Sequence, residues 1–381
     1  MVVYEQVEEY MKQVGLKYIK TPNDFISGLA YRTNKNYALE VANILNYRAE
    51  GAPTDNDKFY ELKNDTLESS IYISAAFDGG VFRHIGNIVI DRADMFGTEV
   101  LDLACDCGIV SCFMAKCYPD SHFYCVDKNE KAVANAKLFA EKLGLTNIEF
   151  EVRDVLTMDT DRQFDTVTSF RTLLDVTDDD TGHLVRIGTR SQREGNFEKA
   201  FAPYAEQISH CLKDDGYFIS IERYTAEYGW VGWLSALAHS GIVPTMDTTY
   251  MRAQDISSTK EYSVTFAQKK DLSTDVTDVF NNALSKDFKS GTGYDGAMAE
   301  FALYYDADGE IEFTDVLKND RVIRQFAFAK SKNGKNMYFE ADPDKKKIKY
   351  FNDKKYDNMR KDYQKKVDLY SSDDFKVVVH K

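Results

Sequence analysis

The sequence predicts an α/β protein built on a mostly parallel sheet of seven strands with helices on both faces, flanked by other material at each end. Three observations carry this. Between about 98 and 270 short apolar strands alternate with helical stretches; the last two strands of that run have too short a link for a crossover helix; and the pattern differs before residue 80 and after 270. Strands alternating with helices imply parallel pairing with both faces covered, and a short link implies an antiparallel pair.

The strands are Val100–Leu103, His122–Val126, Ile148–Val152, Phe164–Ser169, Tyr217–Ile221, Thr245–Ala253 and Glu261–Ala267. Glu130–Lys142 and Phe197–Leu212 read as helices, and Gly144 and Gly241 stand just past helix ends, where a left-handed closing residue is wanted. Residues 1–80 show apolar positions at helical spacing: Val7, Tyr10, Met11 and Val14; then Tyr37, Val41 and Leu45; then Phe59 and Leu62. Residues 81–270 hold the alternating segment. Beyond 270, runs such as AEFALYY, EIEF, QFAFA and NMYFEA are separated by Asp308-Gly309, Asn333-Gly334 and Asp342-Pro343-Asp344, which reads as a β-rich domain of hairpins over 271–381. A chain of 381 residues has room for two to three domains at roughly 150 residues each.

Charge narrows the partners. Lys and Arg number 48 against 62 Asp and Glu, a net of −14, which disfavours a protein that coats phosphate backbones through counterion release. The excess acid is uneven: residues 330–381 hold 15 basic and 9 acidic residues, so the tail alone carries +6 and is the place to look for an anionic partner such as RNA. Its bland reading is Lys guarding exposed strands. MVVYEQVEEYM lacks the basic-then-apolar pattern of a leader, and no stretch approaches the roughly 20 apolar residues of a membrane helix, so a cytoplasmic protein is expected. Cys105, Cys107, Cys112, Cys117, Cys125 and Cys211 are expected as reduced thiols, and C-x-C-x4-C-x4-C is not a zinc spacing.

The strongest chemical signal is EVLDLACDCGIVS at 99–111: an apolar strand reaching Asp102, a turn of small residues, and a helix from Gly108. Such a turn offers backbone N–H groups and a positive helix end to a ligand. The next strand ends in Asp127, 19 positions past Gly108, where a carboxylate can accept from both ribose hydroxyls; the third ends near Asp154. Singly each acid reads as a cap or a surface residue, but three at successive strand ends share the crevice where open α/β sheets bind ligands.

This order of elements resembles the class I S-adenosylmethionine-dependent methyltransferases, with their Rossmann-like seven-stranded sheet, over about residues 80–270. Val100, Leu101, Asp102, Leu103 and Gly108 match the family's V-L-D-L-G-x-G-x-G motif, FDTVTSF its fourth strand, and LKDDGYFISIE its fifth. The resemblance implies S-adenosylmethionine as cofactor, with Asp102, Ala104, Asp106 and Gly108 near its methionine, Asp127 on the ribose, and Asp154 with Val155 facing the adenine. Two motif glycines are replaced, by Ala104 and Asp106. The latter sets a negative charge beside a ligand carboxylate, so the site needs that side chain turned outward or its charge offset, for instance by the cofactor's ammonium. A fold that keeps its shape but serves as a cofactor-free scaffold is the alternative.

Candidates for the acceptor side are Arg171 after strand four, which binds an anionic substrate or pairs with Asp175; His84 and His183 as bases, against the commoner surface role of a lone histidine; and Tyr224 after strand five, beside Glu222 and Arg223. No N-P-P-Y motif follows strand four, which reads SFRTLLDV. The polar stretch 175–196 is a substrate loop or an insertion. Trp230 and Trp233 are expected in the core. The acceptor is a small molecule or a protein, and the N-terminal helices form either a cap over it or a homodimer surface.

Overall fold

The computed structural model describes residues 3–49, 56–177, 190–224, 226–256, 258–271, 274–319, 321–342 and 345–381. Six helices come first: α1 (Glu5–Val14), α2 (Pro22–Arg32), α3 (Lys35–Ala49), α4 (Asn56–Lys63), α5 (Leu67–Phe77) and α6 (Gly79–Asp91). In α1 the buried residues are Val7, Tyr10, Met11 and Val14, and Gly15 closes the helix at φ 82°. Thr66 and Ser69 form a reciprocal capping box at the start of α5.

The alternating segment follows as β1 (Glu99–Leu103), α7 (Ile109–Cys117), β2 (His122–Asp127), α8 (Glu130–Leu143), β3 (Ile148–Val152), β4 (Phe164–Phe170), α9 (Arg190–Cys211), β5 (Leu212–Arg223), α10 (Glu227–His239), β6 (Ile242–Pro244), β7 (Thr249–Gln254) and β8 (Thr259–Lys269). Strand order is β3-β2-β1-β4-β5-β8-β6, with β7 also on β8. Pairing is parallel from β3 to β5, and β8 runs antiparallel to β5, β6 and β7. The expected edge strand Thr245–Ala253 is corrected to two short strands: Thr245 and Thr248 leave the ladder in a turn that bonds back to Phe266, so the sheet counts eight strands rather than seven.

The N-terminal helices share their core with one face of the sheet. Tyr10 packs on Phe82 and Phe113, and its hydroxyl donates to Ile109 O at 2.7 Å. The opposite face is covered by α9 and α10. There Trp233 is fully buried among Phe201, Tyr204 and Phe218, and Trp230 is 3% exposed.

After α11 (Val276–Ser285) the chain forms a second sheet from β9 (Tyr294–Asp295), β10 (Glu312–Lys318), β11 (Arg321–Lys330), β12 (Asn336–Ala341), β13 (Lys346–Phe351) and β14 (Lys376–His380), in the order β14-β10-β11-β12-β13-β9, antiparallel throughout. Helix α12 (Ala297–Tyr305) packs on one face and α13 (Tyr356–Asp368) on the other. AEFALYY, read as a strand, is α12. A short continuous apolar run suits a helix buried all round as well as a buried strand, and Ala297, Ala299, Phe301, Ala302 and Leu303 are all buried. Many lysines of the basic tail are tied into this unit: Lys330 to Asp353, Lys346 to Glu300 and Lys347 to Asp295. Among the described residues no helix is long and apolar enough to cross a membrane.

Candidate active site

A cavity of about 630 Å³ opens over the carboxyl ends of β1 to β4, between the sheet and helices α4 to α6. That lies within the usual range of small-molecule sites, roughly 300–1,000 Å³. Asp102, Ala104, Asp106, Asp127, Asp154 and Val155 all line it.

The turn from β1 to α7 keeps a glycine-like backbone without the glycines. Ala104 has φ 57°, Asp106 φ 49° and Gly108 φ 78°, so every second residue is left-handed. For a non-glycine residue this costs about 1–2 kcal/mol, less for Asp, whose short polar side chain bonds locally. Gly108 is not part of the lining. A Cβ there would lie 3.0 Å from Ala136 Cβ and 3.2 Å from the Phe150 ring, tighter than ordinary contact, so the glycine lets α7 start close against α8 and β3.

The charge of Asp106 is met from the N-terminal helices. Buried Lys63, at the end of α4, forms an ion pair with Asp106 Oδ2, and Asn64 Nδ2 donates to Oδ1 at 2.9 Å. Asn64 is held in turn, accepting from Ser70 Oγ (2.7 Å) and, at its backbone carbonyl, from Asn135 Nδ2 (2.9 Å). Burial works against the Lys63 ammonium, but Asp106 and Asp78 outweigh it and hold its pKa above the ordinary value. The expected offset therefore comes from the chain itself rather than from a ligand's ammonium.

Asp127 accepts from the backbone N–H of Asp106 (2.8 Å) and of Asn129 (2.9 Å). A carboxylate has about four lone-pair positions, so two remain for ribose hydroxyls. Burial and then the neighbouring Asp106 charge push its carboxyl up to about 6. Asp102 is more deeply placed than a strand-tip acid: its oxygens accept from Ser111 Oγ (2.6 Å) and Thr168 Oγ1 (2.7 Å), pinning α7 and β4 to β1, and burial raises it to about 6. Asp154 is exposed and accepts from Leu156 N at 2.9 Å, fixing the turn that presents Val155.

At the β4 tip, Arg171 is left-handed at φ 66° and its guanidinium pairs with Asp78, at the junction of α5 and α6, not with Asp175. Asp175 instead accepts from Tyr60 Oη of α4 at 2.9 Å. The loop after β4 is held from below by buried Glu222 on β5. Glu222 accepts from Leu173 N (3.0 Å), Ser169 Oγ (3.0 Å) and Ser220 Oγ (3.2 Å), and Tyr204 Oη donates to Ser169 Oγ (2.9 Å). Burial pushes the Glu222 carboxyl up to about 8. A group whose folded pKa is raised holds its proton more tightly when folded, so stability is full at low pH and declines as pH rises from the unfolded value toward about 8. We expect Glu222→Gln to remove a slope of about 1.4 kcal/mol per pH unit across that window, read by urea unfolding at a series of pH values.

Other sequence candidates lie elsewhere. His84, on α6, is half-buried and outside the lining, and burial lowers its pKa. Tyr224 is also outside it, donating to Glu300 Oε2 at 3.2 Å against the C-terminal unit. His183 and residues 178–189 of the proposed loop lie outside the described residues. All six cysteines are free thiols, five of them buried, and among the described residues no three His, Cys, Asp or Glu side chains are grouped to hold a metal ion. Sequence reasoning missed Tyr60, Lys63 and Asn64, whose only trace was the need for a counter-charge at Asp106.

A family model described as a methyltransferase domain matches residues 96–281, the span that contains the whole eight-stranded sheet. Just under half of the chain thus matches as a methyltransferase domain. No curated protein matches the chain. Solved structures similar to it include the YcgJ protein of Bacillus subtilis (13% identity, 50% of this chain and 99% of that one, TM-score 0.39). Others are the N-methyltransferase NodS of Bradyrhizobium japonicum in complex with S-adenosyl-L-homocysteine (12%, 56% and 99%, 0.40) and a methyltransferase of Aquifex aeolicus (15%, 57% and 100%, 0.37). The methyltransferase domain places its left-handed turn, Asp127 and Val155 on one wall of the cavity and the β4 loop on another, with α4 passing over both: Asp57 pairs with Lys128 at 2.8 Å and Asn129 Nδ2 donates to Glu61 at 3.1 Å.

Proposed function

We propose that the cavity binds S-adenosylmethionine and that the protein transfers its methyl group to a small-molecule acceptor. The observation that carries this is the pairing of Asp106 with Lys63 beside Asp127: the one feature that argued against the cofactor, a bare charge in the turn, is neutralised by the chain, while Asp127 keeps acceptor capacity toward the cavity. Asp127 would hold the ribose hydroxyls, Val155 and Leu156 the adenine edge, and the Ala104–Gly108 turn the methionine end. When bound, the cofactor supplies an electrophilic methyl on a sulfonium, so the protein's part is alignment and exclusion of water. The β4 loop, fixed by Glu222, sets the angle of approach, and α4 adds Tyr60 and Lys63 to the lining. A concave site of this size suits a small acceptor better than a macromolecule. Isothermal titration with S-adenosylhomocysteine tests the reading: saturable binding is expected, and absence of both heat and thermal shift at millimolar ligand would sink it in favour of a cofactor-free scaffold.

A further inference from the structure

Beyond the cofactor-facing wall, the cavity extends toward the β4 tip. Val81, Phe82 and Ile85 of α6, with Phe170, line it there as an apolar surface, and the Tyr60–Asp175 pair also lies on this side. The cations of the lining are all committed: Lys63 to Asp106, Lys128 to Asp57 and Arg171 to Asp78. Among the described lining residues eight carboxylates face three cations. Arg223, at the end of β5, acts on Asp78 and Tyr60 from outside the lining and is exposed to solvent. A cleft lined by one sign of charge raises the local concentration of the opposite sign and repels its own. Asp175 is exposed and bonded to a neutral hydroxyl, and among the described residues no ion pair cancels its charge.

We propose that the methyl acceptor is a small amine-bearing molecule, its apolar body against α6 and Phe170 and its nitrogen drawn to Asp175 and Tyr60. This rests on the methyltransferase reading above. The incoming ammonium loses a proton to solvent at exposed Asp175. The nitrogen lone pair then forms the N–C bond as the C–S bond breaks, its electron pair remaining on sulfur; the positive charge passes from sulfonium to the new ammonium.

The test titrates protein saturated with S-adenosylhomocysteine with three matched probes: 2-phenylethylamine, 2-phenylethanol and 3-phenylpropionate. The amine is expected to bind about fivefold tighter than either, the upper end for one exposed charge interaction. Asp175→Asn should erase that preference while leaving S-adenosylhomocysteine affinity unchanged. Equal binding of the three probes, tighter binding of the carboxylate, or no amine binding at millimolar concentration would each overturn the proposal. A carboxylate preference lost in Arg223→Gln would assign an anionic acceptor to that arginine instead. Failure of S-adenosylhomocysteine itself to bind would refute the methyltransferase reading and not this one in particular.

Discussion

Replacing Lys63 with methionine is expected to cost about 3 kcal/mol of folding stability and to weaken S-adenosylhomocysteine binding at least about tenfold. Lys63 is 5% exposed, and breaking a buried ion pair leaves an uncompensated charge, the larger part of the loss. The cost sits at the low end of the range for buried pairs because the Asp106 side chain keeps 28% of its exposure and partial access to water. The converse change, Asp106→Gly, relieves a left-handed non-glycine residue, yet it takes from a buried ammonium its ion-pair partner and leaves it the weaker attraction of Asp78 and Asp127. It too should destabilise and should not improve cofactor binding. A scaffold whose site Asp106 had closed would behave in the opposite way, gaining affinity with the glycine. The double variant Lys63→Met with Asp106→Gly removes both charges and should recover most of the stability lost by either single change. Urea unfolding and calorimetric titration of all four proteins close the cycle; additive losses would show that the two side chains do not act as a pair.

Asp127→Asn is expected to weaken S-adenosylhomocysteine by about a hundredfold, since hydrogen bonds to a charged acceptor contribute roughly 1.5–3 kcal/mol each and asparagine offers one acceptor oxygen in place of two. The pH dependence has a definite sign. The free protein's Asp127 titrates at about 6, raised by burial and by Asp106, and ribose hydroxyls donate to the ionised form. Affinity should be flat above that pH and fall by up to tenfold per unit below it. In Asp127→Asn the slope should vanish. The opposite trend would mean that Asp127 meets the ligand as a protonated donor, and an unchanged affinity would remove it from the site. The stability contribution of the same group runs the other way. Its raised folded pKa makes the ionised form costly, so unliganded protein loses stability as pH rises toward 6, and bound ligand offsets that loss.

How far the site was legible follows from where its residues sit in the chain. Asp102, Asp127, Asp154 and the turn between Ala104 and Gly108 belong to local strand–turn–helix units, and strand ends can be read from apolar runs a few residues long. The geometry even survives loss of the motif glycines: Ala104 and Asp106 take up positive φ because Cys105 N is bonded to Val126 O and Asp106 N to Asp127, which overrules local preference. The partners of these residues are not local. Lys63 meets Asp106 across 43 positions, Tyr60 meets Asp175 across 115, and Arg171 meets Asp78 across 93. No pattern in KFYELKND distinguishes an ion-pairing lysine of a roof helix from a surface one.

The sequence by itself determined the parallel sheet, its antiparallel end, the helical start and the β-rich finish, because 2- and 3.6-residue periodicities record which face of each element is buried. It also placed Asp102, Asp127 and Asp154 at one sheet edge. Tertiary structure alone decided that the edge strand splits at Thr245–Thr248, that AEFALYY is a helix packed on the second sheet, and that α4 lies over the cavity with Lys63 on Asp106. Each of these depends on the free energy of a contact between distant segments. A buried charge in particular is tolerated only where an opposite charge arrives to meet it, and which charge arrives is set by the packing of six helices that precede the sheet.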